Sequence, residues 1–324
     1  MRTPDFIVIG AAKSGTTTLY DHLVRRDDIF MTTPKEPEFF ARDDRYDAGI
    51  EAYAALYDRA RPDQVCGEAS TLYTLSPHFP KAAARAAAFA PDAKLIYMMR
   101  EPVARAYSFY GQMLKAYQNN SGDPGVHRSF EDCMQPDRSH LPRDKFFGPY
   151  NAHYPDVPGV FLDAGDYPMQ IRAWMEHYPR ERFLFLTFEE FVRDPAAVLA
   201  RLHAFLGLPP EAEADAPAGP AAASNAASDH IERLRRDRFA AELSGRAPIL
   251  GRISRAMPPA WRSALRELAF RFMGARVAAN RPDVAPPKML PETRAVLEAR
   301  YGAQRAELAA LTGLDLDRWW TRRP

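Results

Sequence analysis

The stretch DFIVIG-AAKSGTTTL, residues 5–19, decides the fold that we expect for this chain. Its first half is an apolar run with the length of a buried strand. Its second half is a turn rich in small residues that leads into a helix. In such a turn the backbone N–H groups face inward, the helix N-terminus adds partial positive charge, and Lys13 adds a full charge. The stretch therefore predicts a binding site for a phosphorylated cofactor.

This turn comes close to a Walker A loop, G-x-x-x-x-G-K-[ST], without matching it. Gly10 and Gly15 have the required separation, but Thr16 stands where the motif has lysine, and Lys13 lies earlier, on the approach to the loop. No later apolar run of the sequence ends in an obvious Walker B aspartate. A metal-dependent NTPase or nucleotide kinase is therefore the second interpretation, and an incidental strand–turn–helix is the third.

Composition is ordinary for a globular protein. The 324 residues are 46% hydrophobic and 26% charged, which allows a large core. A net charge of +1 provides no overall field for nucleic acid, so we expect a local anion site and no nucleic-acid partner. Cys66 and Cys133 lack metal-ligand spacing and are typical of a reducing compartment. Asp5 interrupts any early apolar run, and no apolar run is long enough to span a membrane. We therefore predict a cytoplasmic protein. The bias toward Ala, Arg and Pro indicates a bacterial source.

Strand patterns alternate with helix patterns along the chain, which predicts βαβ units and a mainly parallel sheet. Further strands are predicted at residues 64–70, 94–100 and within 182–191. Helices are predicted at residues 16–24, 80–89, 103–117, 169–177, 194–206 and 291–311. The last of these helices has a predicted core stripe of Val296, Leu297, Leu308 and Leu311. Because ligands bind beyond the carboxyl ends of parallel strands, the candidate positions are Gly10, Ser70, Arg100 and Glu189.

Two long segments are less regular. Residues 118–166 carry many Pro, Gly, His and aromatic residues, which is typical of a binding wall or lid. The histidines in this segment, at positions 127, 140 and 153, lack ligand spacing, and we predict no metal site. Residues 231–276 carry eleven Arg against four acidic residues. That excess is typical of a solvated helical face, or of a contact with an anionic acceptor or a membrane surface.

Two further motifs carry chemistry. Arg100 leaves a predicted strand and Ser108 follows eight residues later, so the two side chains are placed to converge on one anion. In TTPKEPEFF, residues 32–40, Lys35, Glu36 and Glu38 share a Pro-bounded turn beside two phenylalanines. A carboxylate beside apolar rings has a raised pKa and can serve as a base. The alternative is a surface Lys–Glu turn with both phenylalanines in the core.

Together these motifs resemble those of sulfotransferases that use 3′-phosphoadenosine 5′-phosphosulfate (PAPS), in the carbohydrate, heparan-type and bacterial branch rather than the cytosolic aryl-type branch. The first loop resembles the 5′-phosphosulfate loop of that family, and Arg100 and Ser108 match its 3′-phosphate pair. KEPEFF resembles the segment that carries the catalytic glutamate. GEASTLY (67–73), residues 165–208 and LTGLDLDRW (311–319) resemble later segments of the family, so the resemblance spans nearly the whole chain.

The resemblance implies an α/β, P-loop-like three-layer sandwich with a central mainly parallel sheet flanked by helices. It implies one sulfotransferase domain over residues 1–324, with an irregular acceptor-side segment at about 118–166 and a helical C-terminal region at about 229–324. It also implies PAPS as donor, no metal, and a small-molecule or glycan acceptor. The enzyme would transfer a sulfuryl group to a hydroxyl, or less favourably an amine, of a carbohydrate, lipid-linked or secondary-metabolite acceptor. A non-catalytic nucleotide-binding module remains an alternative.

The resemblance also assigns roles to residues. The implied catalytic residues are Glu36, Lys13 and Lys35, with Glu36 as the base and Lys13 neutralising the leaving oxygen. The implied cofactor-binding residues are Lys13, Ser14, Gly15, Thr16, Thr17, Thr18, Arg100, Ser108 and Arg281, the last as a later basic element beside Asn280. The chain departs from the family pattern at Ala69, where heparan-type members often have lysine, at Thr71, which replaces a proline, and at Glu38, where some members have histidine. These departures bear on the acceptor more than on the chemistry.

Overall fold

A five-stranded sheet forms the centre of the protein. The computed structural model describes residues 1–121, 129–134, 157–210 and 286–320. The strands are β1 (Phe6–Gly10), β2 (Ile29–Met31), β3 (Val65–Ala69), β4 (Lys94–Met99) and β5 (Phe183–Thr187). Their order in the sheet is β2-β3-β1-β4-β5, and every pairing is parallel. The predicted parallel sheet is confirmed, but β2 was not predicted, because three residues are too few for a recognisable apolar pattern.

Helices connect these strands and follow the last of them. In the first half of the chain they are α1 (Thr16–Val24), α2 (Asp43–Tyr46), α3 (Ile50–Ala54), α4 (Ala82–Phe89) and α5 (Pro102–Ser121). They continue with α6 (Phe130–Cys133), α7 (Val157–Asp163), α8 (Tyr167–Met175), α9 (Phe188–Arg193) and α10 (Pro195–Leu206). Near the C-terminus lie α11 (Pro291–Gly302), α12 (Arg305–Thr312) and α13 (Leu316–Trp320). Short 3₁₀ turns cover Ala55–Tyr57, Thr71–Thr74 and Arg180–Arg182.

The sheet has helices on both faces, so the predicted layered α/β architecture is confirmed. On one face, α1 and α10 cover alternate residues of the strands, which gives a core of aliphatic and aromatic side chains that includes Val8, Leu19, Ile96 and Leu202. On the other face, the ring of Tyr97 meets Tyr167 of α8 at 5.9 Å between ring centroids. Because both faces are covered, β1 and β4 are almost entirely apolar rather than alternating.

Parallel pairing brings the carboxyl ends of the strands to one edge. Val8 of β1 is in register with Ala69 of β3 and with Ile96 of β4. Met99 of β4 is in register with Thr187 of β5. The four predicted ligand positions, which follow β1, β3, β4 and β5, therefore share this edge.

The C-terminal helix differs from its prediction. Residues 291–311 form two helices, α11 and α12, separated at Ala303 and Gln304. Leu297 and Leu308 are buried as predicted, but Val296 is 66% exposed and Leu311 is only half-buried. Val296 and Leu297 are neighbours within α11, so their side chains lie about 100° apart around the helix axis, and only Leu297 is buried.

Contacts within the chain divide it into two compact units. One comprises Met1–Leu114, His127–Ala223 and Pro286–Pro324, and it holds the sheet; the other comprises Lys115–Val126 and Ser224–Ala285. The second unit falls mostly outside the described residues, as do most of the irregular segment at 118–166 and the basic segment at 231–276. The single-domain organisation stays a prediction. Over the described ranges, the search for a helix of sufficient length and apolarity to cross a bilayer finds none.

Candidate active site

The turn between β1 and α1 is a tight backbone cradle. Lys13 has φ 69° and Gly15 has φ 86°, so two residues in this short turn adopt the left-handed conformation. Such a conformation turns successive N–H groups toward one side and favours glycine. At Gly15 a Cβ atom would approach the Phe188 ring to 2.8 Å. Glycine is also required at position 10, since a Cβ atom there would lie 2.1 Å from the Thr74 hydroxyl oxygen.

The N-terminus of α1 is open at this cradle. Gly15 is its N-cap and supplies no side-chain cap, and the first i→i−4 bond of the helix runs from the Leu19 N–H to the Gly15 carbonyl at 3.1 Å. The N–H groups of the first helical turn are therefore the unpaired set that a helix N-terminus offers to an anion. The Ser14 N–H, which was expected to face the anion, instead donates to the Ala11 carbonyl at 3.2 Å. The Ser14 hydroxyl is fully buried and has no hydrogen-bond partner among the residues that the structure describes.

Arg100, at the end of β4, lies against the same cradle. Its Nη1 donates to the Lys13 carbonyl at 3.3 Å, and its guanidinium lies 4.7 Å from the centroid of the Phe188 ring. The Phe188 ring, which follows β5, therefore contacts Arg100 on one side and limits the space at Gly15 on another. The carboxyl ends of β1, β4 and β5 are joined in one site by these contacts. Sequence reasoning missed Phe188, because the strand predicted within residues 182–191 included it as a strand residue.

Other groups hold the backbone of Arg100 in place. Among the described contacts, none is a close bond between its guanidinium and a carboxylate. The Tyr167 hydroxyl donates to the Arg100 carbonyl at 2.7 Å and accepts from the Arg100 N–H at 3.2 Å. Burial lowers the pKa of Arg100, and the Glu189 carboxylate partly opposes this effect. Glu189 itself accepts from the Glu101 N–H at 2.9 Å and from the Trp320 indole at 3.0 Å. A desolvated guanidinium of this kind is stabilised by a bound anion.

Two predicted cofactor residues are less well defined by contacts. Ser108 lies half-buried on α5, six residues after Pro102, which is about 9 Å along a helix axis. Arg281, with Asn280, lies outside the described residues. The assignment of Ser108 and Arg281 to the 3′-phosphate stays a prediction.

The turn that carries Lys35, Glu36 and Glu38 crosses the end of β3, next to β1. The Glu36 N–H donates to the Ala69 carbonyl at 3.0 Å, and Ala69 is in register with Val8 of β1. Because neighbouring strands lie about 4.8 Å apart, this turn lies beside the end of β1. Lys35 Nζ donates to Glu36 Oε1 at 2.6 Å, and the two side chains are 9% and 22% exposed. The three predicted charged residues and the anion cradle thus lie at the same edge of the sheet.

Glu38 and Glu36 both have the left-handed conformation, with φ 57° and φ 61°. Glu38 Oε2 accepts from Arg42 Nη1 at 3.2 Å. Burial raises the pKa of the Glu38 carboxyl, the charge of Glu36 raises it further, and Arg42 opposes both effects. Phe39 and Phe40 are buried in the core, as the structural alternative for this turn predicted. The turn therefore combines a packed apolar side with a polar side that carries two carboxylates.

Glu68, in β3, is a buried carboxylate that sequence reasoning did not single out. It is fully buried, and it accepts hydrogen bonds from three hydroxyl groups: Tyr53 at 2.7 Å, Tyr73 at 2.9 Å and Ser70 at 3.0 Å. Burial raises its pKa to about 7, and the three hydrogen bonds partly oppose the rise. An acidic residue inside an otherwise apolar strand was the available signal, because a buried charge needs polar partners.

The site as a whole fits a ligand with two separated anionic groups. The open N-terminus of α1, the orphaned Ser14 hydroxyl and Lys13 suit one phosphate. The buried guanidinium of Arg100 suits a second anion, since arginine binds phosphate with a planar fork. A group transfer from a nucleotide requires groups that bind phosphate and a carboxylate nearby. Here both lie at the same edge of the sheet.

Comparison with known proteins agrees with this chemistry. Residues 3–218 match the model of the sulfotransferase domain family. The human heparan sulfate glucosamine 3-O-sulfotransferase 3B1 is 32% identical over 205 residues, which are 63% of this chain and 46% of that protein. The human bifunctional heparan sulfate N-deacetylase/N-sulfotransferase 3 is 31% identical over 219 residues, which are 64% of this chain and 23% of that protein. The alignments thus span about half or less of the length of these curated relatives.

A solved structure supports the fold. The crystal structure of a sulfotransferase from Alicyclobacillus acidocaldarius superposes with a TM-score of 0.61, at 24% identity, over 99% of this chain and 100% of that chain. Both the family resemblance and the fold class predicted from the sequence are confirmed.

Proposed function

The chain belongs to the sulfotransferase domain family, and we propose that it transfers a sulfuryl group from PAPS to an acceptor hydroxyl. The observation that carries the proposal is the bond from Arg100 Nη1 to the Lys13 carbonyl, 3.3 Å long, because it joins the two anion-binding elements in one site. The turn with Glu36 lies at the same strand edge. An anion site for two phosphates next to a carboxylate base is the arrangement that this transfer needs.

The first task of the residues is to hold the nucleotide. The N–H groups of the first turn of α1, with the Thr16, Thr17 and Thr18 hydroxyls, bind the 5′-phosphate. Arg100 binds the 3′-phosphate, and Ser108 and Arg281 complete that subsite in the proposal. PAPS supplies an activated sulfuryl group whose transfer, like that of a phosphoryl group, follows an in-line path through a loose transition state. Lys13 neutralises the charge that develops on the leaving oxygen.

The second task is to remove a proton. Glu36 accepts the proton of the acceptor hydroxyl, and its Oε1 also accepts a hydrogen bond from Lys35 Nζ at 2.6 Å. As the hydroxyl oxygen bonds to sulfur, the bond from sulfur to the bridging oxygen breaks, and the electron pair goes to the phosphate that Lys13 faces. Lys35 orients the Glu36 carboxylate. This scheme uses the cationic side chains and the helix N-terminus for charge stabilisation, and it proposes no metal.

We propose a carbohydrate hydroxyl as the first acceptor to test, since both similar human proteins are named for heparan sulfate and one of them is named as an O-sulfotransferase. A lipid-linked or secondary-metabolite hydroxyl is the second choice, and an amine is the third.

The test begins with binding. Calorimetry compares the product nucleotide, adenosine 3′,5′-bisphosphate (PAP), with ATP in the presence and absence of Mg²⁺. We expect PAP to bind more tightly than ATP under both conditions. Preferential binding of Mg²⁺·ATP would instead favour the NTPase or kinase interpretation.

Turnover is tested with ³⁵S-labelled PAPS and a panel of acceptors, starting with heparan sulfate from which the O-sulfates have been removed. Transfer of label to the polysaccharide supports the proposal. Tight PAP binding without transfer to any member of a broad panel of hydroxyl and amine acceptors would favour the non-catalytic binding module.

A further inference from the structure

The turn over residues 35–40 is held at every second residue by residues 69–73, at the end of β3 and just after it. Three of its backbone N–H groups donate to that segment: Glu36 to the Ala69 carbonyl at 3.0 Å, Glu38 to Ser70 Oγ at 3.1 Å, and Phe40 to Tyr73 Oη at 3.4 Å. Only the first acceptor is a backbone atom. The other two are hydroxyl groups, and a hydroxyl accepts in a given direction only when its proton is fixed elsewhere.

Glu68 fixes both of those protons. Its Oε2 accepts from Ser70 Oγ at 3.0 Å, and its Oε1 accepts from Tyr73 Oη at 2.9 Å. Each hydroxyl therefore donates to the carboxylate and presents a lone pair to the turn. Glu68, Ser70 and Tyr73 are all buried at 2% exposure or less, so water does not compete for these bonds. We call this set of three residues the Glu68 bracket.

The turn needs such support because its backbone is strained. Glu36 and Glu38 have φ 61° and φ 57°, a region that residues with a side chain rarely adopt. Strain of this kind persists only where contacts with the surrounding residues hold the backbone in place. It is most common at functional sites. The strained residues here are the proposed base and the neighbouring carboxylate. Loss of the bracket would leave this backbone free to relax, and the Glu36 carboxylate would move with it.

We propose that Glu68 is a positioning residue, which acts through Ser70 and Tyr73 to set the place of the Glu36 carboxylate. This inference rests on the proposed function for the role of Glu36, but the anchoring itself does not. The three bonds to Glu68 require its ionised form, because an ionised carboxylate accepts from all its hydroxyl neighbours at once. A protonated carboxyl would have to donate to one neighbour, whose own proton would then lose its acceptor.

The experiment uses the full-length protein and five variants: Ser70→Ala, Tyr73→Phe, Glu68→Gln, Tyr57→Phe and Glu36→Gln. Tyr57→Phe is the matched control, because Tyr57 is as buried as Tyr73 but its described hydroxyl bond goes to the Tyr53 hydroxyl at 3.1 Å. Hydrogen exchange of the peptide over residues 33–41 reports the anchoring without any need for turnover. PAP calorimetry reports whether each variant is folded with an intact cofactor site. Kinetics with ³⁵S-labelled PAPS and O-desulfated heparan sulfate report kcat and the KM for PAPS.

We expect Ser70→Ala and Tyr73→Phe to accelerate exchange of this peptide at least tenfold and to lower kcat at least tenfold. The KM for PAPS and the Kd for PAP should stay within about twofold of wild type. Glu68→Gln should show both effects in smaller degree, since an amide cannot accept from all three hydroxyls. Tyr57→Phe should match wild type, and Glu36→Gln should lose kcat with unchanged exchange.

Unchanged exchange in Ser70→Ala would overturn the inference, because this small substitution removes the acceptor of the Glu38 N–H. Faster exchange with unchanged kcat would also overturn it, since the turn would then be anchored without consequence for Glu36. If wild type transferred no label to this polysaccharide or to any other acceptor of the panel, the proposed function would fail, while the exchange result would still decide whether the bracket anchors the turn.

Discussion

The two sides of the candidate site are built in different ways. The cradle between β1 and α1 takes its shape from the backbone: left-handed residues at 13 and 15, a helix that no side chain caps, and a close aromatic ring. The turn over residues 35–40 takes its shape from buried side chains of another segment. The cradle depends on its glycines and on the groups that would bind phosphate, whereas the turn depends on the hydroxyl groups that hold it. We therefore expect mutations at the cradle to affect cofactor binding and mutations at the turn to affect turnover.

The largest expected effect comes from Glu36→Gln. The substitution keeps the shape of the side chain and removes the base, so kcat should fall by about 10²–10⁴, the usual contribution of general-base catalysis. The Kd for PAP should stay near wild type, because the phosphates bind at the cradle. Calorimetry with PAP and single-turnover kinetics with labelled PAPS measure the two quantities.

Glu38→Gln is the matched control for this experiment. Its carboxyl is the rival base, since burial and the charge of Glu36 raise its pKa. If Glu38→Gln lost turnover and Glu36→Gln did not, the base would have to be reassigned. If both variants stayed active, the acceptor would already be an anion or a free amine, and the hydroxyl acceptor would be contradicted.

The next effect is a pH dependence of stability that arises from Glu68. Burial raises its pKa to about 7, above the ordinary value of 4.5, so between these pH values the folded protein binds a proton that the unfolded chain releases. Stability from this group is therefore highest below pH 4.5, declines as pH rises toward 7, and then levels off. The total change is about 3 kcal/mol at 1.36 kcal/mol per pKa unit.

Glu68→Gln should remove this dependence. The free energy of unfolding of wild type minus that of the variant should fall by about 3 kcal/mol between pH 4.5 and pH 8, as measured by urea denaturation. Glu51→Gln, which changes an exposed carboxylate, is the control. A difference between wild type and Glu68→Gln that does not vary with pH would show that Glu68 titrates at its ordinary pKa.

A smaller effect should come from Arg100→Ala at the cradle. Loss of charge-assisted hydrogen bonds to one phosphate costs about 1.5–3 kcal/mol, so the Kd for PAP should rise about ten- to a hundredfold. Binding of adenosine 5′-phosphosulfate, which lacks the 3′-phosphate, should change little. Arg201→Ala is the control, because Arg201 is an exposed residue that pairs with Glu190. Equal losses for both nucleotides would show that Arg100 does not distinguish the 3′-phosphate.

The same contrast explains what the sequence could and could not predict. The cradle was predictable because its determinants are local: an apolar run, two glycines, a lysine and a helix start lie within fifteen residues. The parallel sheet was predictable from β1, β3, β4 and β5, whose apolar runs have strand length. β2 was too short to detect, and the break at Ala303 and Gln304 interrupts a pattern that looks continuous in sequence.

The Glu68 bracket was not predictable, because its members gain their roles only through contacts between segments. Ser70 and Tyr73 lie close to Glu68 in the sequence, but the N–H groups that they hold in the turn over residues 35–40 lie about thirty residues earlier. The left-handed backbone at Glu36 and Glu38 is likewise imposed by partners about thirty residues away, and no local preference of glutamate indicates it. The contact between Arg100 and the Lys13 carbonyl joins residues that follow two different strands, so the sequence predicted each element but not how they meet.

The smallest expected effect is that of a chelator, and it tests the cradle directly. If Lys13, Arg100 and the open N-terminus of α1 neutralise the phosphates by themselves, transfer from PAPS needs no divalent cation. Activity in excess EDTA should then stay within about twofold of activity with added Mg²⁺. The two measurements are made at equal ionic strength, because screening by salt weakens contacts between charges by itself. Arg100→Ala serves as the comparison. If a metal helped to neutralise the phosphates, added Mg²⁺ would partly restore the PAP affinity of this variant. Loss of wild-type turnover in EDTA, with recovery on addition of Mg²⁺, would contradict a cradle that neutralises the phosphates by itself and would favour an NTPase-like site.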